Sequence, residues 1–167
     1  MNKPKVLIVM GSDSDIPVMD EAAAILKKFA IPFEMRISSA HRCPDRTAAL
    51  AAGAESRGIK VIIAGAGMAA HLAGVMAAGT ILPVIGVPIG GGALGGVDAL
   101  YSTAQLPGGI PVATVAIGKA GAKNAGILAV QMLALTDEDL SSRLKEFKEA
   151  MAREVEEKDR VLQENMA

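Results

Sequence analysis

The stretch Lys-Val-Leu-Ile-Val-Met-Gly-Ser-Asp-Ser-Asp, residues 5–15, decides the fold class of this chain. Its continuous apolar run predicts a strand over residues 5–10 that is buried on both faces, as in a parallel sheet. Two further strand patterns are followed by polar loops: residues 33–37 precede Ser-Ala-His-Arg at 39–42, and residues 60–64 precede Gly-Ala-Gly-Met-Ala-Ala-His at 65–71. Because parallel strands end at one edge of a sheet, the three loops should converge where open α/β folds bind ligands.

The rest of the chain alternates helical and strand patterns. Helices are predicted after Asp15, which is placed to cap the first of them, and over residues 44–56, 69–78, 97–104 and 122–135. The fourth and fifth strands are predicted over residues 84–87 and 112–117. This order predicts a flavodoxin-like three-layer αβα sandwich with a central parallel sheet and right-handed crossovers.

The C-terminal residues form a separate pattern. We assign residues 1–135 to the α/β domain and residues 136–167 to a C-terminal helical arm of the same domain. The arm begins with the helix-start signal Thr-Asp-Glu-Asp at 136–139. Its apolar stripe, at Leu140, Leu144, Phe147, Met151 and Val155, predicts docking on the chain's own sheet or on a neighbouring subunit.

Composition limits the possible functions. The chain has 167 residues, enough for one core, with 51% hydrophobic and only 2% aromatic residues. A net charge of −1 without clustered lysines or arginines argues against binding nucleic acid or anionic lipid. The single cysteine, Cys43, excludes an internal disulfide and favours a reducing cytoplasm.

No signal peptide is predicted, because the apolar run at residues 6–10 is too short. Residues 61–97 contain no Asp, Glu, Lys or Arg, so their length alone allows a membrane span. The many glycines and two prolines in this segment break it into strands, turns and a helix. A buried α/β interior is therefore the favoured interpretation.

The polar loops contain groups for binding an anion and moving a proton. In the first loop, backbone N–H groups and serine hydroxyls suit an anion, and Asp15 suits a pair of sugar hydroxyls. On its own this loop is typical of a helix cap with an Asx turn. The second and third loops contain the only two histidines, His41 and His71. Imidazoles exchange protons near neutral pH, whereas Arg42 can grip a phosphate or carboxylate with two hydrogen bonds.

Three other kinds of site were weighed. Residues 65–70 match the dinucleotide-binding pattern G-x-G-x-x-A, but they are not in the first turn and no acidic residue follows before Asp98. Cys43 stands beside the second loop as a candidate nucleophile, although a small packing residue is the favoured interpretation. The two histidines lie 30 residues apart, which fits no known metal-ligand pattern, so we expect metal-free chemistry.

Several ordered motifs are similar to those of the N5-carboxyaminoimidazole ribonucleotide mutase family of purine biosynthesis. They are Met-Gly-Ser-Asp-Ser-Asp at 10–15, Ser-Ala-His-Arg at 39–42, Ala-Gly-Ala-Gly-Met-Ala-Ala-His-Leu at 64–72, Pro-Val-Ile-Gly-Val-Pro at 83–88, and the segment 106–118. The resemblance covers about residues 4–135. It implies conversion of N5-carboxyaminoimidazole ribonucleotide to 4-carboxyaminoimidazole ribonucleotide, with no organic cofactor, ATP or metal.

The resemblance also implies roles for single residues. His41 corresponds to the general acid/base, and His71, with backbone N–H groups of the third loop, holds the migrating carboxylate. The implied substrate-binding residues are Ser12, Ser14, Asp15, Ser39, Ala40, Arg42, Gly67, Ala70 and Leu72. A homo-octamer is further implied, as is an ATP-dependent synthase that supplies the substrate.

The resemblance leaves a second activity to be weighed, because some family members are carboxylases that use free carbon dioxide. Those members typically read Ser-Ala-His-Lys in the second loop and lack the third-loop histidine, so Arg42 and His71 favour the mutase. The chain departs from the common pattern at Cys43, Met68 and Ala73, where Thr, Gly and Pro are frequent, and its loop at 90–96 is richer in glycine. A non-catalytic nucleotide-binding module is the alternative from another class.

Overall fold

A parallel sheet lies at the centre of the computed structural model, which describes residues 3–166. Its strands are β1 (Val6–Met10), β2 (Phe33–Ile37), β3 (Val61–Gly67), β4 (Val84–Ile89) and β5 (Ala113–Thr114). The α-helices of this part are α1 (Ile16–Lys28), α2 (Pro44–Ala52), α3 (Leu72–Ala78), α4 (Val97–Ala104), α5 (Gly118–Ala134) and α6 (Glu138–Met166). The ends of the two predicted regions, residues 1, 2 and 167, lie outside the described residues.

The strand order is β2-β1-β3-β4-β5, and every neighbouring pair is parallel. The chain leaves β1 toward one edge to form β2, then crosses over to the other side of β1 to form β3. This reversal opens a crevice at the carboxyl ends of β1 and β3, the place where such folds bind ligands. The order confirms the predicted flavodoxin-like fold.

Two apolar layers enclose the sheet. On one face, Ile8 and Ile63 pack against α1 and α5 through residues such as Leu26 and Ala125, all at most 1% exposed. On the other face, Leu7, Ile62, Ala51 and Met76 form a second buried cluster with α2 and α3. The all-apolar sequence of β1, buried at every residue, supplies side chains to both layers.

The beginning of α6 docks on the chain's own domain. The side chain of Asp137 accepts a hydrogen bond from the Leu140 N–H at 2.9 Å, as expected from the helix-start signal. Leu140 is buried, and Phe147 meets Phe29 edge-to-face with ring centroids 5.5 Å apart. Further along, Met151 and Val155 are 40% and 65% exposed, so the second half of the predicted stripe has no cover within this chain.

Two predicted boundaries around the third loop were wrong. β3 continues through Gly67, so part of the predicted loop belongs to the strand, because residues 65–67 pair with β4. Glycine fits at position 65, because the β-carbon of any other residue would lie 2.3 Å from the sulfur of Met19 and clash with it. α3 begins at Leu72 and not at residue 69, because the His71 backbone N–H bonds to the Ala69 carbonyl two residues earlier, at 2.9 Å, which is a tight turn and not a helical hydrogen bond.

Other boundaries also differ. β5 is limited to Ala113–Thr114, since this edge strand pairs only with Ile85 and Gly86. α5 begins at Gly118, four residues before the predicted start. α2 ends at Ala52, a short 3₁₀ turn follows, and Gly58, with a φ of 96°, ends the segment as predicted. Within residues 3–166, no helix has the length and apolar character needed to span a bilayer.

Candidate active site

The three polar loops border one cavity of about 750 Å³ at the carboxyl edge of the sheet. The cavity wall contains all but one of the predicted site residues: Ser12, Ser14, Asp15, Ser39, Ala40, His41, Arg42, Gly67, His71 and Leu72. The exception is Ala70, which is 2% exposed and does not line the cavity. The structure does not bring Ala70 to the cavity surface, so its contact with substrate stays a prediction.

The two imidazoles meet inside this cavity. His41 Nε2 lies 2.6 Å from His71 Nδ1, and the rings are nearly perpendicular, at 89°. A hydrogen bond at this distance needs a proton on one nitrogen and a lone pair on the other. The two rings therefore hold a proton between them and leave His41 Nδ1 and His71 Nε2 for other partners. Because β1 lies between β2 and β3, the strand order brings these two loops face to face.

Polar groups of the first and second loops, here called the cradle, line the cavity next to the histidine pair. The Ser14 N–H donates to Ser12 Oγ at 3.3 Å, and the Arg42 N–H donates to Ser39 Oγ at 3.2 Å. The Arg42 guanidinium reaches back to the carbonyl of Gly11 at 3.4 Å. The first and second loops are thus joined by the arginine, with serine hydroxyls on both sides of its positive charge. Charge-assisted hydrogen bonds of this kind suit a phosphate.

Some residues of the wall were not predicted from the sequence. Val18 was assigned to the apolar face of α1, yet it also lines the cavity, one turn beyond Asp15. Ile89 was missed because β4 is longer than predicted and ends at the same sheet edge. Gly90, Gly91 and Gly92 line the cavity as well, so part of the glycine-rich loop at 90–96 borders it.

With this geometry in place, the comparison with known families is decisive. Residues 5–154 match the family model described as AIR carboxylase. The chain belongs to the AIR carboxylase family. Within this family, the chain is 56% identical over 161 residues to the N5-carboxyaminoimidazole ribonucleotide mutase of Thermotoga maritima, covering 96% of this chain and 93% of that protein.

Two other members of the family extend the comparison. The phosphoribosylaminoimidazole carboxylase of Saccharomyces cerevisiae is 56% identical over 147 residues, which are 88% of this chain but 25% of the yeast protein. The crystal structure of Treponema denticola PurE has a TM-score of 0.84 at 30% identity, covering 93% of this chain and 96% of that one. Both the fold and the family expected from the motifs are confirmed.

Asp15 has a different role in the loop from the one predicted. It stands at the N-cap position of α1, as predicted, but its side chain does not bond to that helix, because its carboxylate Oδ2 accepts the Ser12 N–H at 3.0 Å inside a 3₁₀ turn that Ser12 caps. The residue is only 9% exposed. Burial raises the pKa of this carboxyl above its ordinary value, against the opposing effect of hydrogen bonds from the Ser12 and Gly11 backbone. The site therefore holds a partly desolvated acceptor beside the cradle.

Asp15→Asn should stabilise the fold at pH 7 while weakening ligand binding. A carboxyl whose pKa is raised in the folded state binds more protons there than in the unfolded chain, so stability falls as pH rises from the ordinary value through the raised one. The neutral amide oxygen keeps the acceptor for the Ser12 N–H without this penalty. Thermal unfolding should show the variant's advantage at pH 7, and the advantage should vanish below about pH 4, where the wild-type carboxyl is also neutral.

Ligand affinity of Asp15→Asn should fall by about tenfold or more, as expected when a charged acceptor is lost. An equal decrease of the melting temperature at both pH values would contradict the assigned effect of burial.

Cys43, which stands where the family commonly has threonine, supports the second loop from behind. The Ser39 N–H donates to its sulfur at 3.1 Å, and its own N–H donates to the Ser39 carbonyl at 2.9 Å. Hydrogen bonding from Ser38 and from the Ser39 backbone lowers the pKa of the thiol. Ser38 is buried and bonds to Thr47 at 2.9 Å. A lowered pKa would suit a nucleophile, but Cys43 does not line the cavity that contains the histidines, which favours the packing interpretation.

The part of the chain that the structure describes contains no cluster of metal-binding side chains. Residues 3–166 contain no group of three or more His, Cys, Asp or Glu side chains placed to hold one ion. The two histidines are bonded to each other through Nε2 and Nδ1. The arrangement is suited to proton transfer next to a bound anion.

Proposed function

We propose that this protein is an N5-carboxyaminoimidazole ribonucleotide mutase of purine biosynthesis. The observation that carries the proposal is the 2.6 Å contact between His41 and His71 beside the cradle formed by Arg42 and the loop serines. A mutase from Thermotoga maritima that is 56% identical over nearly the whole chain supports it. The reaction moves a carboxylate from the exocyclic nitrogen of the imidazole to its C4 atom.

The cradle suits the ribonucleotide portion of the substrate. Arg42 and the hydroxyls of Ser12, Ser14 and Ser39 bind the 5′-phosphate, because they combine a fixed positive charge with several donors. Asp15 accepts hydrogen bonds from the ribose hydroxyls. These contacts place the imidazole ring next to the two histidines, which line the same cavity.

One imidazole, that of His41, can both donate and take back the single proton that the reaction moves. Protonation of the exocyclic nitrogen by His41 breaks its bond to the carboxyl carbon and releases carbon dioxide in place. The electron-rich C4 then attacks this carbon dioxide to form the new carbon–carbon bond. His41 removes the proton from C4, which restores the aromatic ring and returns the catalyst to its first state. No net proton is consumed.

His71 assists at the migrating carboxylate. Its Nδ1 atom is bonded to His41 and its Nε2 atom remains for the ligand, so it can link the acid/base group to the carboxylate. The backbone N–H of His71 donates to the Ala69 carbonyl at 2.9 Å, so it is not available to the carboxylate. Among the other third-loop residues implied above, Gly67 and Leu72 line the cavity, and their backbone N–H groups are the proposed donors to the carboxylate.

A carboxylase that acts on aminoimidazole ribonucleotide and free carbon dioxide is the second candidate. The yeast relative with a carboxylase name favours it, but the chain spans only 25% of that protein. Arg42 and His71 match the mutase pattern given above, and both line the cavity.

One assay separates these functions. Purified protein is given each ribonucleotide, with and without bicarbonate, and the C4-carboxylated product is measured. The mutase converts the N5-carboxylated substrate without added bicarbonate. Conversion of only the unsubstituted aminoimidazole with bicarbonate would identify a carboxylase, and binding without turnover would identify a nucleotide-binding module.

We further propose a cytoplasmic homo-octamer whose substrate comes from an ATP-dependent synthase. Large apolar side chains remain uncovered in one chain, including Ile81 at 87% and Leu135 at 85% exposed. Such surface is typical of subunit interfaces.

Light scattering should therefore give about eight times the 17.1 kDa mass of one chain. The variant Leu135→Asp, which removes apolar surface without touching the monomer core, should lower this mass. A fully active 17.1 kDa monomer at micromolar concentration would rule out the assembly.

A further inference from the structure

Met68 holds an unusual backbone conformation in the wall of the cavity. Its φ is 55°, in the left-handed region that favours glycine, and among residues 3–166 only Ala30, with a φ of 53°, is another non-glycine residue there. Ala30 lies in the turn after α1, where its N–H donates to Lys27 at 2.9 Å. Met68 lies between β3 and the histidine His71. A strained conformation of this kind, kept at a ligand site, points to a function for the side chain.

The side chain of Met68 forms an apolar cover at the cavity mouth. It is 62% exposed although it is apolar, and it faces the glycine-rich loop. A β-carbon placed on Gly92 would lie 3.7 Å from Met68 Cγ, so the loop and the side chain are neighbours across the mouth. A thioether chain is flexible and bonds weakly to water, which allows it to fill irregular space and exclude solvent.

The chemistry needs such a cover. Between breaking the carbon–nitrogen bond and forming the carbon–carbon bond, carbon dioxide is attached to nothing. The cavity of about 750 Å³ has to hold the ribonucleotide as well as this molecule, and an open mouth would let the carbon dioxide escape. Gly91 and Gly95 have no atom within 4 Å of a β-carbon placed on them, so the loop is loosely packed at these positions, as suits a segment that closes over a ligand.

We propose that Met68 is a positioning residue that, together with Gly90–Gly92, closes the cavity and holds released carbon dioxide over the imidazole ring. The left-handed backbone directs its side chain across the mouth, where a glycine would leave a gap. The inference rests on the mutase function proposed above. It assigns to Met68 a part in the efficiency of carboxyl transfer and none in proton transfer.

An isotope-retention experiment tests this role. Substrate with ¹³C in the migrating carboxylate is converted in buffer that contains unlabelled bicarbonate, and the ¹³C content of the C4-carboxylated product is measured after subtracting spontaneous decarboxylation. Met68→Gly should lower the retained label by a factor of about three or more, because solvent exchange then competes with recapture. Its melting temperature should equal or exceed that of the wild type, since glycine adopts this φ without strain.

Two control variants separate the cover from the backbone. Ala30→Gly relieves the same kind of strain outside the cavity, so it should raise the melting temperature and leave label retention unchanged. Met68→Leu restores apolar bulk at the mouth and should recover most of the retention lost in Met68→Gly.

Each outcome bears on the proposal. Wild-type retention in Met68→Gly would overturn it. A parallel fall of retention and melting temperature in Met68→Gly would also overturn it, because the side chain would then only support the fold. If the wild-type protein makes no C4-carboxylated product, the mutase function itself is wrong, and this result is visible before any variant is compared.

Discussion

His41→Asn lowers turnover of N5-carboxyaminoimidazole ribonucleotide by a factor of about 10² to 10⁴, the usual contribution of a positioned acid/base group. Asparagine is similar in shape and polarity to histidine but cannot carry a proton between the exocyclic nitrogen and C4. Nucleotide affinity should stay within about tenfold of the wild type, because the phosphate and ribose contacts come from other residues. Steady-state kinetics and equilibrium binding of the product measure the two effects.

His71→Asn is the matched comparison for this experiment. The His71 ring also lies in the cavity and is the other partner in the 2.6 Å hydrogen bond with His41. If His71 only orients His41 and the carboxylate, its replacement should lower turnover less than that of His41. Near-native turnover of His41→Asn, with loss of turnover in His71→Asn, would move the acid/base role to His71.

The sequence predicts the main parts of this site because each functional loop follows a strongly apolar strand. The strands at residues 6–10 and 33–37 were placed within one residue of their observed bounds. Parallel pairing then places the loops at one edge of the sheet, so the sequence alone groups Ser12, His41 and His71. The contact between His41 Nε2 and His71 Nδ1 could not be predicted from the sequence, because it depends on side-chain torsions and strand order.

The errors have local physical causes. A run of small residues at 69–78 is typical of a helix, but a tight turn in which the His71 N–H bonds to the Ala69 carbonyl delays the start of α3 to Leu72. α5 begins four residues before the predicted start at residue 122, at Gly118, which has a φ of 75°. Gly121 lies in the first turn of this helix although glycine weakens a helix. Propensity was overruled by close packing of one backbone segment on another.

Gly121→Ala should therefore prevent normal folding. A β-carbon on Gly121 would lie 1.5 Å from the carbonyl oxygen of Ala116 and 2.5 Å from its carbon, both of them backbone atoms. No rotamer change can relieve this overlap, so the segment before α5 must move away from the helix. The same helix packs Ala122 and Ala125 against the core formed with α1. We expect a loss of about 3 kcal/mol or more in the free energy of unfolding, at or beyond the upper range for overpacked cores.

Urea unfolding of purified protein measures this loss, with Gly108→Ala as the matched control. A β-carbon on Gly108 meets no atom within 4 Å, so this variant should unfold within about 0.5 kcal/mol of the wild type. If Gly121→Ala is too unstable to purify while Gly108→Ala is recovered in normal amounts, the close approach of Ala116 to α5 is required for folding. Equal urea midpoints for the two variants would show that the backbone at 116–121 yields without cost, and that glycine at 121 is not needed for packing.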